Sequence, residues 1–452
     1  MSNDSTKTSD TLEKHFFRAS AADFKKIPGS PIAYWVDEKV RTIFAESKSL
    51  DSMSDIKQGL ATCNNDLFIR LWFEVGFHTV GYKIISTEQA FESRKKWFPY
   101  NKGGGYRKWY GNNEYLVNWE KNGFDIHKYS NIPLDYSGAP VRAKRYYFRE
   151  GITYGLISSF GFSARRVYGG FVFDVGGSMI FPEIEFDKLQ GFLGSKLTKT
   201  FIAILNPTLN YQVGDIQKLP IHERTFNSVK YDWSQIINRA KIDWDSSETS
   251  WDFTILPLLC SDCRVRDLKA TYTKLRAYWQ EMTLEMQRFE EENNRIFIDA
   301  YGLQDELTSD VPLKEITLTC NPYYRYGKEP RIDTNEHEKN PTDISINSCS
   351  LVVKKSFPKD TELEDRLLAD TLKEFISYAV GCMFGRYSLD KPGLILANQG
   401  ETIADYLKQI PEPIFSADDD NVIPMLDGDW FTDDVTERFG QFLKVTFGDA
   451  HY

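Results

Sequence analysis

"ARRVYGGFVFDVGGSMIF", residues 164–181, indicates the class of fold. Three short runs rich in Val, Phe and Ile are separated by the pairs Gly169-Gly170 and Gly176-Gly177. Short runs of β-branched and aromatic residues bounded by glycine pairs are typical of strands joined by tight turns. The stretch therefore predicts strand, turn, strand, turn and strand, and it places the surrounding region in a β-rich domain.

The flanking sequence extends this domain over residues 57–222. Short β-like runs and glycine turns continue on the N-terminal side, and "FDKLQGFLGSKLTKTFIAIL" (186–205) has the apolar spacing of a helix. Further upstream, "FKKIPGSPIAYWV" (24–36) turns at Pro28-Gly29 and enters an apolar run that predicts a short strand. We expect residues 1–22 to be flexible.

A long helix is predicted over residues 264–296. Nine positions spaced alternately by four and three residues form an apolar seam with one polar member, Asn293. The seam consists of Leu268, Tyr272, Leu275, Trp279, Met282, Met286, Phe289, Asn293 and Ile296. Two interpretations stay open: a long helix packed on its own domain, or a coiled-coil spacer that sets the distance between two domains.

The C-terminal part, from about residue 311, is acidic and interrupted. "DRLLADTLKEFISYAVGCMFGRYSL" (365–389) predicts a helix, and the acidic stretch 416–439 is either solvated surface or a dock for a basic partner. The sequence thus predicts an α+β protein in four parts, with a β-rich mixed domain, a long helical spacer and an α+β C-terminal domain. The boundaries are 1–56 for the tail and junction, 57–222, 223–310 and 311–452.

The bulk composition excludes several classes of protein. No stretch of the 452 residues approaches about 18 uninterrupted apolar positions, which a membrane helix needs. The polar start "MSNDSTKTSD" lacks the apolar core of a signal peptide, and six cysteines do not make a disulfide framework. We expect a soluble, cytoplasmic protein that does not contact membranes.

The charge is unevenly distributed, although the whole chain carries −10. Residues 57–222 hold 21 Lys and Arg against 14 Asp and Glu, a net charge of +7, so the remainder carries −17. Residues 93–168 alone carry +9 and are rich in aromatic side chains. A solvated face of mixed charge explains many such runs, but a basic, aromatic region is also the expected footprint of a site for nucleic acid.

The strongest local candidate is "WFPYNKGGGYRKWYGNNEY" (97–115). Its glycines match neither the P-loop nor the dinucleotide-binding spacing, so we interpret them as a sharp turn or a close backbone approach. Arg and Lys pair with phosphates or guanine, Asn with adenine, and aromatic rings stack. Arg107 or Asn112 would read a base edge, bind phosphate or cap a turn. The predicted DNA-binding residues are Arg94, Lys95, Lys96, Lys102, Arg107, Lys108, Tyr110, Asn112, Asn113, Arg142, Lys144, Arg145, Arg149, Arg165 and Arg166.

Motifs for metal binding or catalysis are weak in this sequence. Cys260 and Cys263 form a single C-x-x-C, short of the four ligands of a structural zinc site, and the six histidines do not cluster. "NPYY" (321–324) resembles the Asn-Pro-Pro-Tyr loop that holds a flipped adenine in amino methyltransferases, but its third residue differs and no glycine-rich S-adenosylmethionine loop lies upstream. We interpret it as a turn and predict no catalytic residue and no metal site.

Stretches spread along most of the chain resemble one family, the PglX adenine-specific DNA methyltransferases of BREX phage-defence systems. They are "KIPGSPIAYWV" (26–36), "KQGLATCNNDLFIRLWFEV" (57–75), "KWFPYNKGGGYRKWYGNNEYLVNW" (96–119), "REGITYGLISSFGFSARRVYGGFVFDVGGSMIF" (149–181), "LNPTLNYQVGDIQKLPI" (205–221), "NNRIFIDAYGL" (293–303), "SYAVGCMFGRYSLDKPGLILANQG" (377–400) and "FTDDVTERFGQFLKVTFG" (431–448). Residues 149–221 also resemble target-recognition domains of type I specificity subunits.

The resemblance covers only the C-terminal half of that family. It implies a target-recognition domain, a spacer and a C-terminal domain, while the methyltransferase domain would lie before residue 1. This chain would then recognise a specific duplex DNA sequence for adenine-N6 methylation, without binding a cofactor and without activity alone. S-adenosylmethionine belongs to the missing domain, so the expected partners are DNA and the methyltransferase half or other defence proteins. Two alternatives are a free-standing specificity subunit for a separate methylase or nuclease, and a protein-interaction component that acts through the acidic C-terminal domain.

Overall fold

The chain forms two compact units. Residues 1–241 and 288–310 make up unit 1, and residues 242–287 and 311–452 make up unit 2. The computed structural model describes residues 20–136, 138–265, 267–327, 359–425, 431 and 433–448. The expected flexible tail therefore lies almost entirely outside the described residues, as does part of the acidic stretch 416–439. The four-part division expected from the sequence stays a prediction.

Three small sheets lie in the described part of unit 1. One pairs β1 with β10, one has the order β2-β9-β6-β7, and one has the order β3-β5-β4-β8. Their pairs are antiparallel except for β4 and β8, which run parallel. The strands are β1 (Lys48–Ser49), β2 (Ser54–Lys57), β3 (Ile69–Leu71), β4 (Trp97–Asn101), β5 (Tyr115–Asn118), β6 (Gly151–Tyr154), β7 (Ala164–Val167), β8 (Val172–Phe173), β9 (Met179–Pro182) and β10 (Pro220–Ile221).

The apolar strand residues build the core of unit 1. Ile180 lies opposite Ile56 on one side and Ile152 on the other, and all three side chains are buried. In the second four-stranded sheet Val117 takes the same place between Ile69 and Phe98. Such cross-strand rows of β-branched and aromatic side chains stabilise a sheet and fix its register.

All three strands predicted within 164–181 are present, as β7, β8 and β9. They do not form one meander, because β8 joins the other four-stranded sheet. Gly169 and Gly170 both adopt left-handed backbone angles, which a side chain would disfavour. The glycine pair therefore redirects the chain between sheets, and together with the helices this confirms the α+β class.

The strand predicted within 24–36 is wrong. The segment consists of a short helix and turns, with local bonds from Ala33 N to Pro31 O and from Val36 N to Ala33 O. Pro28 and Pro31 have no N–H to donate to a ladder, which disfavours a strand interior. Ala33 and Val36 are nevertheless buried, so the apolar run packs without strand pairing.

The helix predicted over 186–205 is interrupted. Two helices meet at Ser195, whose side chain accepts a hydrogen bond from Thr198 N and caps the second. The helices are α1 (Ala21–Phe24), α2 (Glu38–Glu46), α3 (Asn65–Phe68), α4 (Thr87–Glu92), α5 (Glu120–Tyr129), α6 (Phe186–Gly194), α7 (Lys196–Leu205), α8 (Val213–Gln217), α9 (Glu223–Ser228), α10 (Ser234–Asp245), α11 (Leu268–Ala300), α12 (Pro322–Arg325), α13 (Asp360–Met383), α14 (Ile403–Gln409) and α15 (Val435–Phe447).

The seam helix is confirmed as one continuous element, α11. Every position of the seam is buried or half-buried, and Trp279 is only 7% exposed. The polar member is satisfied: Asn293 Oδ1 accepts from Trp233 Nε1 at 2.7 Å, and its Nδ2 donates to Gly191 O at 2.9 Å. A polar seam residue with defined partners fixes the register of packing.

Unit 2 is mainly helical where the structure describes it. In this unit Arg276 of α11 donates two hydrogen bonds of 2.6 Å to Glu364 of α13. The other end of α13 places Phe375 among rings of α15, including Phe442 at 5.7 Å between centroids. The predicted helix near 365–389 is thus confirmed, with its observed bounds shifted toward the N-terminus.

Candidate nucleic-acid interface

Residues 103–105 bend the backbone through left-handed angles at Gly103 and Gly104, and we call this segment the glycine turn. Gly103 has a left-handed φ of 91°, and a Cβ there would collide with the carbonyl oxygen of Gly176. The turn is held by side chains: Arg165 Nη2 donates to Gly103 O at 2.6 Å, and Asn112 Nδ2 donates to Gly105 O at 2.9 Å. Glycine is therefore needed for backbone approach, and of the roles considered for Asn112 the structure favours the turn.

Two of the predicted DNA contacts are fully enclosed. Lys108 forms an ion pair with Glu290 of α11, and each side chain is 3% exposed. Trp109 Nε1 donates to the other oxygen of the same carboxylate at 2.8 Å. Arg165 is 1% exposed. Lys108 pairs with Glu290, and Arg165 donates to Gly103 O. Because a buried charge must be paired and hydrogen-bonded, these contacts favour a structural role for Lys108 and Arg165.

Arg166 is also engaged within the protein. Its guanidinium contacts Glu150 at 2.9 Å and Asp187 at 3.1 Å and lies 4.4 Å from the centroid of the Phe186 ring. Three further predicted contacts are buried, namely Arg107, Tyr110 and Asn113. The structure therefore brings six predicted residues into the interior, and their role toward DNA stays untested.

The remaining predicted residues reach the surface. Arg94, Lys96, Arg145 and Arg149 are exposed, whereas Lys95, Lys102, Asn112, Arg142 and Lys144 are half-buried. They fall in separate parts of the chain. Only those of the 142–149 segment line or adjoin a cavity described in unit 1.

That cavity, here called the basic groove, has a volume of about 790 Å³. Its walls are residues 56–58, Asp135, residues 142–146 and residues 212–214. Lys57, Arg142, Lys144 and Arg145 supply positive charge to the walls, and Asp135 is the one acidic residue among these lining residues. A concave surface with such a charge excess concentrates anions.

Three cations at and beside the basic groove surround the ring of Tyr146. The charged groups of Lys57, Arg145 and Arg149 all lie 5.0–5.2 Å from the centroid of its ring. The ring's negative face attracts cations, which lowers the cost of gathering three of them. The Tyr146 hydroxyl donates to Asp55 at 2.7 Å. Hydrogen bonds from Lys57 and then Tyr146 lower the pKa of Asp55, so this carboxylate stays ionised and fixes the ring.

Lys57 escaped the sequence-based prediction because it stands outside the densest basic region. Strand β2 alternates buried Ser54 and Ile56 with half-buried Asp55 and Lys57. This period of two places Asp55 and Lys57 on the same, outer face. This alternation could have identified Lys57 from the sequence.

The ammonium of Lys144 makes contacts within the protein. Its Nζ donates to Leu134 O at 2.7 Å and lies 3.5 Å from His127 Nε2. Burial lowers the pKa of Lys144, and burial together with the Lys144 charge lowers the pKa of His127. His127 Nδ1 lies 2.8 Å from Pro133 O, which suits a neutral ring that donates from Nδ1.

Two curated relatives align with nearly the whole chain. An "Adenine-specific methyltransferase PglX" of Lacticaseibacillus casei (strain Zhang) is 34% identical over 449 residues, covering 97% of this chain and 33% of the relative. The chain is homologous to a C-terminal part of PglX. An "Adenine-specific methyltransferase BrxX" of Escherichia coli O9:H4 (strain HS) is 33% identical over 437 residues, covering 95% of this chain and 32% of the relative. The chain thus spans about a third of the length of these relatives. No protein-family profile matches it.

Residues 321–324 begin a short helix, and Asn321 is its capping residue. Asn321 is fully buried, and its Nδ2 donates to Leu313 O and Ile316 O, both at 2.8 Å. Its Oδ1 accepts from Tyr323 N at the start of α12. These bonds occupy both amide hydrogens of Asn321 and favour a structural role for this residue at the start of α12.

Two features are absent from the part of the chain that the structure describes: a cluster of metal-ligand side chains and a helix that could span a membrane. No group of three or more His, Cys, Asp or Glu side chains there is arranged to hold a metal ion. None of the helices in those residues is long and apolar enough to cross a membrane.

Proposed function

We propose that this chain recognises duplex DNA for a BREX-type adenine-N6 DNA methyltransferase. Methyl transfer and S-adenosylmethionine binding belong to polypeptide outside this sequence. The similarity to PglX and BrxX supports a methyltransferase-associated role, because both relatives carry "adenine-specific methyltransferase" in their names.

The basic groove is the observation that carries this proposal. The net charge of the whole chain is −10, so the chain as a whole repels DNA. Binding therefore needs a local cationic surface, and Lys57 and Arg145 of the basic groove, with Arg149 beside it, gather around the Tyr146 ring. Arg and Lys neutralise phosphates and release counterions, which gives most non-specific affinity for DNA. Base reading then falls to groups beside this surface.

The test is a titration of a mixed-sequence duplex oligonucleotide, followed by fluorescence anisotropy at several salt concentrations. About six phosphate contacts would make log K fall with log salt with a slope of about −5. The variant K57A/R145A/R149A removes the three cations around Tyr146 and should flatten the slope by up to about 3 units. Lys95→Ala with Lys96→Ala should flatten it by about one unit for each of the two side chains that binds a phosphate.

A matched variant, K25A/K39A/K128A, removes three exposed positive charges of unit 1 that do not line the basic groove. Its slope should change little. Equal effects of the two triple variants would mean that binding depends only on net charge. No binding by the wild-type chain would overturn the proposal and favour the protein-interaction alternative.

A further inference from the structure

Three large apolar side chains project from neighbouring loops of unit 1. Ile157 is 51% exposed, Phe160 37% and Leu209 54%. We call these three residues the apolar tip. The loops are tied together by a hydrogen bond from Ser158 N to Leu209 O at 3.1 Å and by an isolated bridge between Ile157 and Asn210. The apolar tip is therefore one feature rather than three scattered side chains.

Glycines leave the apolar tip open to a large ligand. Gly161, beside Phe160, has a left-handed φ of 98° and open space around its Cβ position. Gly105, in the glycine turn, also has open space. The Tyr106 ring lies 5.9 Å from the Phe160 ring, so the glycine turn adjoins the apolar tip. Bare backbone beside exposed apolar groups allows close approach of a bulky partner.

The apolar tip adjoins the basic groove. Gln212 lines the groove and stands three residues after Leu209, a span of at most about 11 Å. The connection is fixed, because Tyr211 N donates to Leu156 O at 2.7 Å and the Tyr211 ring packs edge-on against Phe162. A ligand held by the cations of the groove thus lies within reach of the apolar tip.

We propose that the apolar tip inserts at a base step of the duplex whose phosphates lie in the basic groove. Proteins that bend DNA push Phe, Leu or Ile between adjacent base pairs, and phosphate contacts offset the unstacking. Here both parts stand side by side, and the tip's apolar surface is buried on insertion. A protein partner would not need the adjacent cations, so DNA is the occupant to which the charge points. This inference rests on the proposed function.

The experiment measures ring closure by ligase. A mixed-sequence linear duplex of about 100 bp is shorter than the persistence length of DNA, about 150 bp, so it closes slowly unless it is kinked. The wild-type chain should accelerate closure about tenfold or more. The variant I157S/F160S/L209S should lose this acceleration and bind about tenfold more weakly, while the salt slope set by the groove stays the same.

The control variant I85S/F91S/F124S removes three exposed apolar side chains elsewhere in unit 1 and should close rings like the wild type. Leu209→Ser alone, with a thermal unfolding midpoint like that of the wild type, gives a milder second test and should reduce closure. Wild-type binding without faster closure, or closure unchanged in the triple variant, overturns the wedge but leaves the proposed function standing. Failure of the wild type to bind DNA at all overturns both.

Discussion

The buried ion pair between Lys108 and Glu290 gives the sharpest test of how the glycine turn is anchored. Glu290→Ala removes the carboxylate that pairs with the Lys108 ammonium, in a site where each side chain is 3% exposed. It also removes the acceptor of the Trp109 indole. Breaking one side of a buried pair costs about 3–5 kcal/mol, because the remaining charge cannot reach water. Urea denaturation followed by tryptophan fluorescence should show a loss of this size.

A second pair of variants separates charge from shape. Glu290→Gln keeps an acceptor for the Trp109 indole but removes the negative charge that pairs with buried Lys108, so this variant should still be strongly destabilised. Adding Lys108→Met removes that charge, and the double variant should recover most of the loss. On the same helix, Glu292→Ala breaks an exposed pair with Arg295 and should cost at most about 1 kcal/mol.

If Glu290→Ala and Glu292→Ala lower the free energy of unfolding by the same small amount, Glu290 does not anchor the turn. Amide hydrogen exchange at residues 107–110 gives a local readout, and exchange there should accelerate selectively in Glu290→Ala. Unchanged exchange would lead to the same refutation.

Three further predictions address other parts of the molecule. Trp279→Asp puts an unpaired charge at a position that is 7% exposed and should destabilise by a few kcal/mol, whereas Tyr278→Asp, at a 49% exposed neighbour, should cost about 0.5 kcal/mol; chemical denaturation compares them. Burial lowers the pKa of His127 in the folded state, so the unfolded chain binds more protons and stability should fall as pH drops below about 6.5; His127→Gln should flatten that pH profile, measured by denaturation at pH values on both sides. The purified chain should neither bind S-adenosylmethionine in equilibrium dialysis nor transfer a labelled methyl group to DNA, because the donor loop is absent from its sequence and Asn321 is spent on a turn; methylation of adenine by the chain alone would contradict this.

Local patterns predicted several elements of the fold but not the way they assemble. The period of two and the glycine pairs found β7, β8 and β9, and the alternate spacing of four and three found α11. The pairing of β8 with β4 lay beyond reach, since Val172 and its partner Tyr100 are far apart in sequence. The strand predicted within 24–36 was wrong because an apolar run resembles a strand even where prolines prevent pairing.

The sequence predicted a basic region for the candidate site but not which of its cations are exposed. The basic region was visible, yet whether a given cation reaches solvent depends on distant partners. Lys108 is enclosed because Glu290, 182 residues later, pairs with it. The basic groove likewise joins residues 56–58, 142–146 and 212–214, and no local window contains all three. Lys57 is the groove cation that the sequence-based prediction did not include. The alternation of buried and half-buried residues along β2 would have indicated it.

The glycines around these loops divide into positions that accept a side chain and positions that do not, and this bears on engineering. At Gly103 any Cβ collides with backbone, so the residue is closed to variation. Gly105 and Gly214 have no atom within 4 Å of a Cβ and no left-handed φ, and Gly214 lines the basic groove. A library that randomises these two positions and keeps Gly103 constant would introduce new side chains in the groove wall at 214 and near the apolar tip at 105 without straining the backbone, and it could be screened for altered sequence preference.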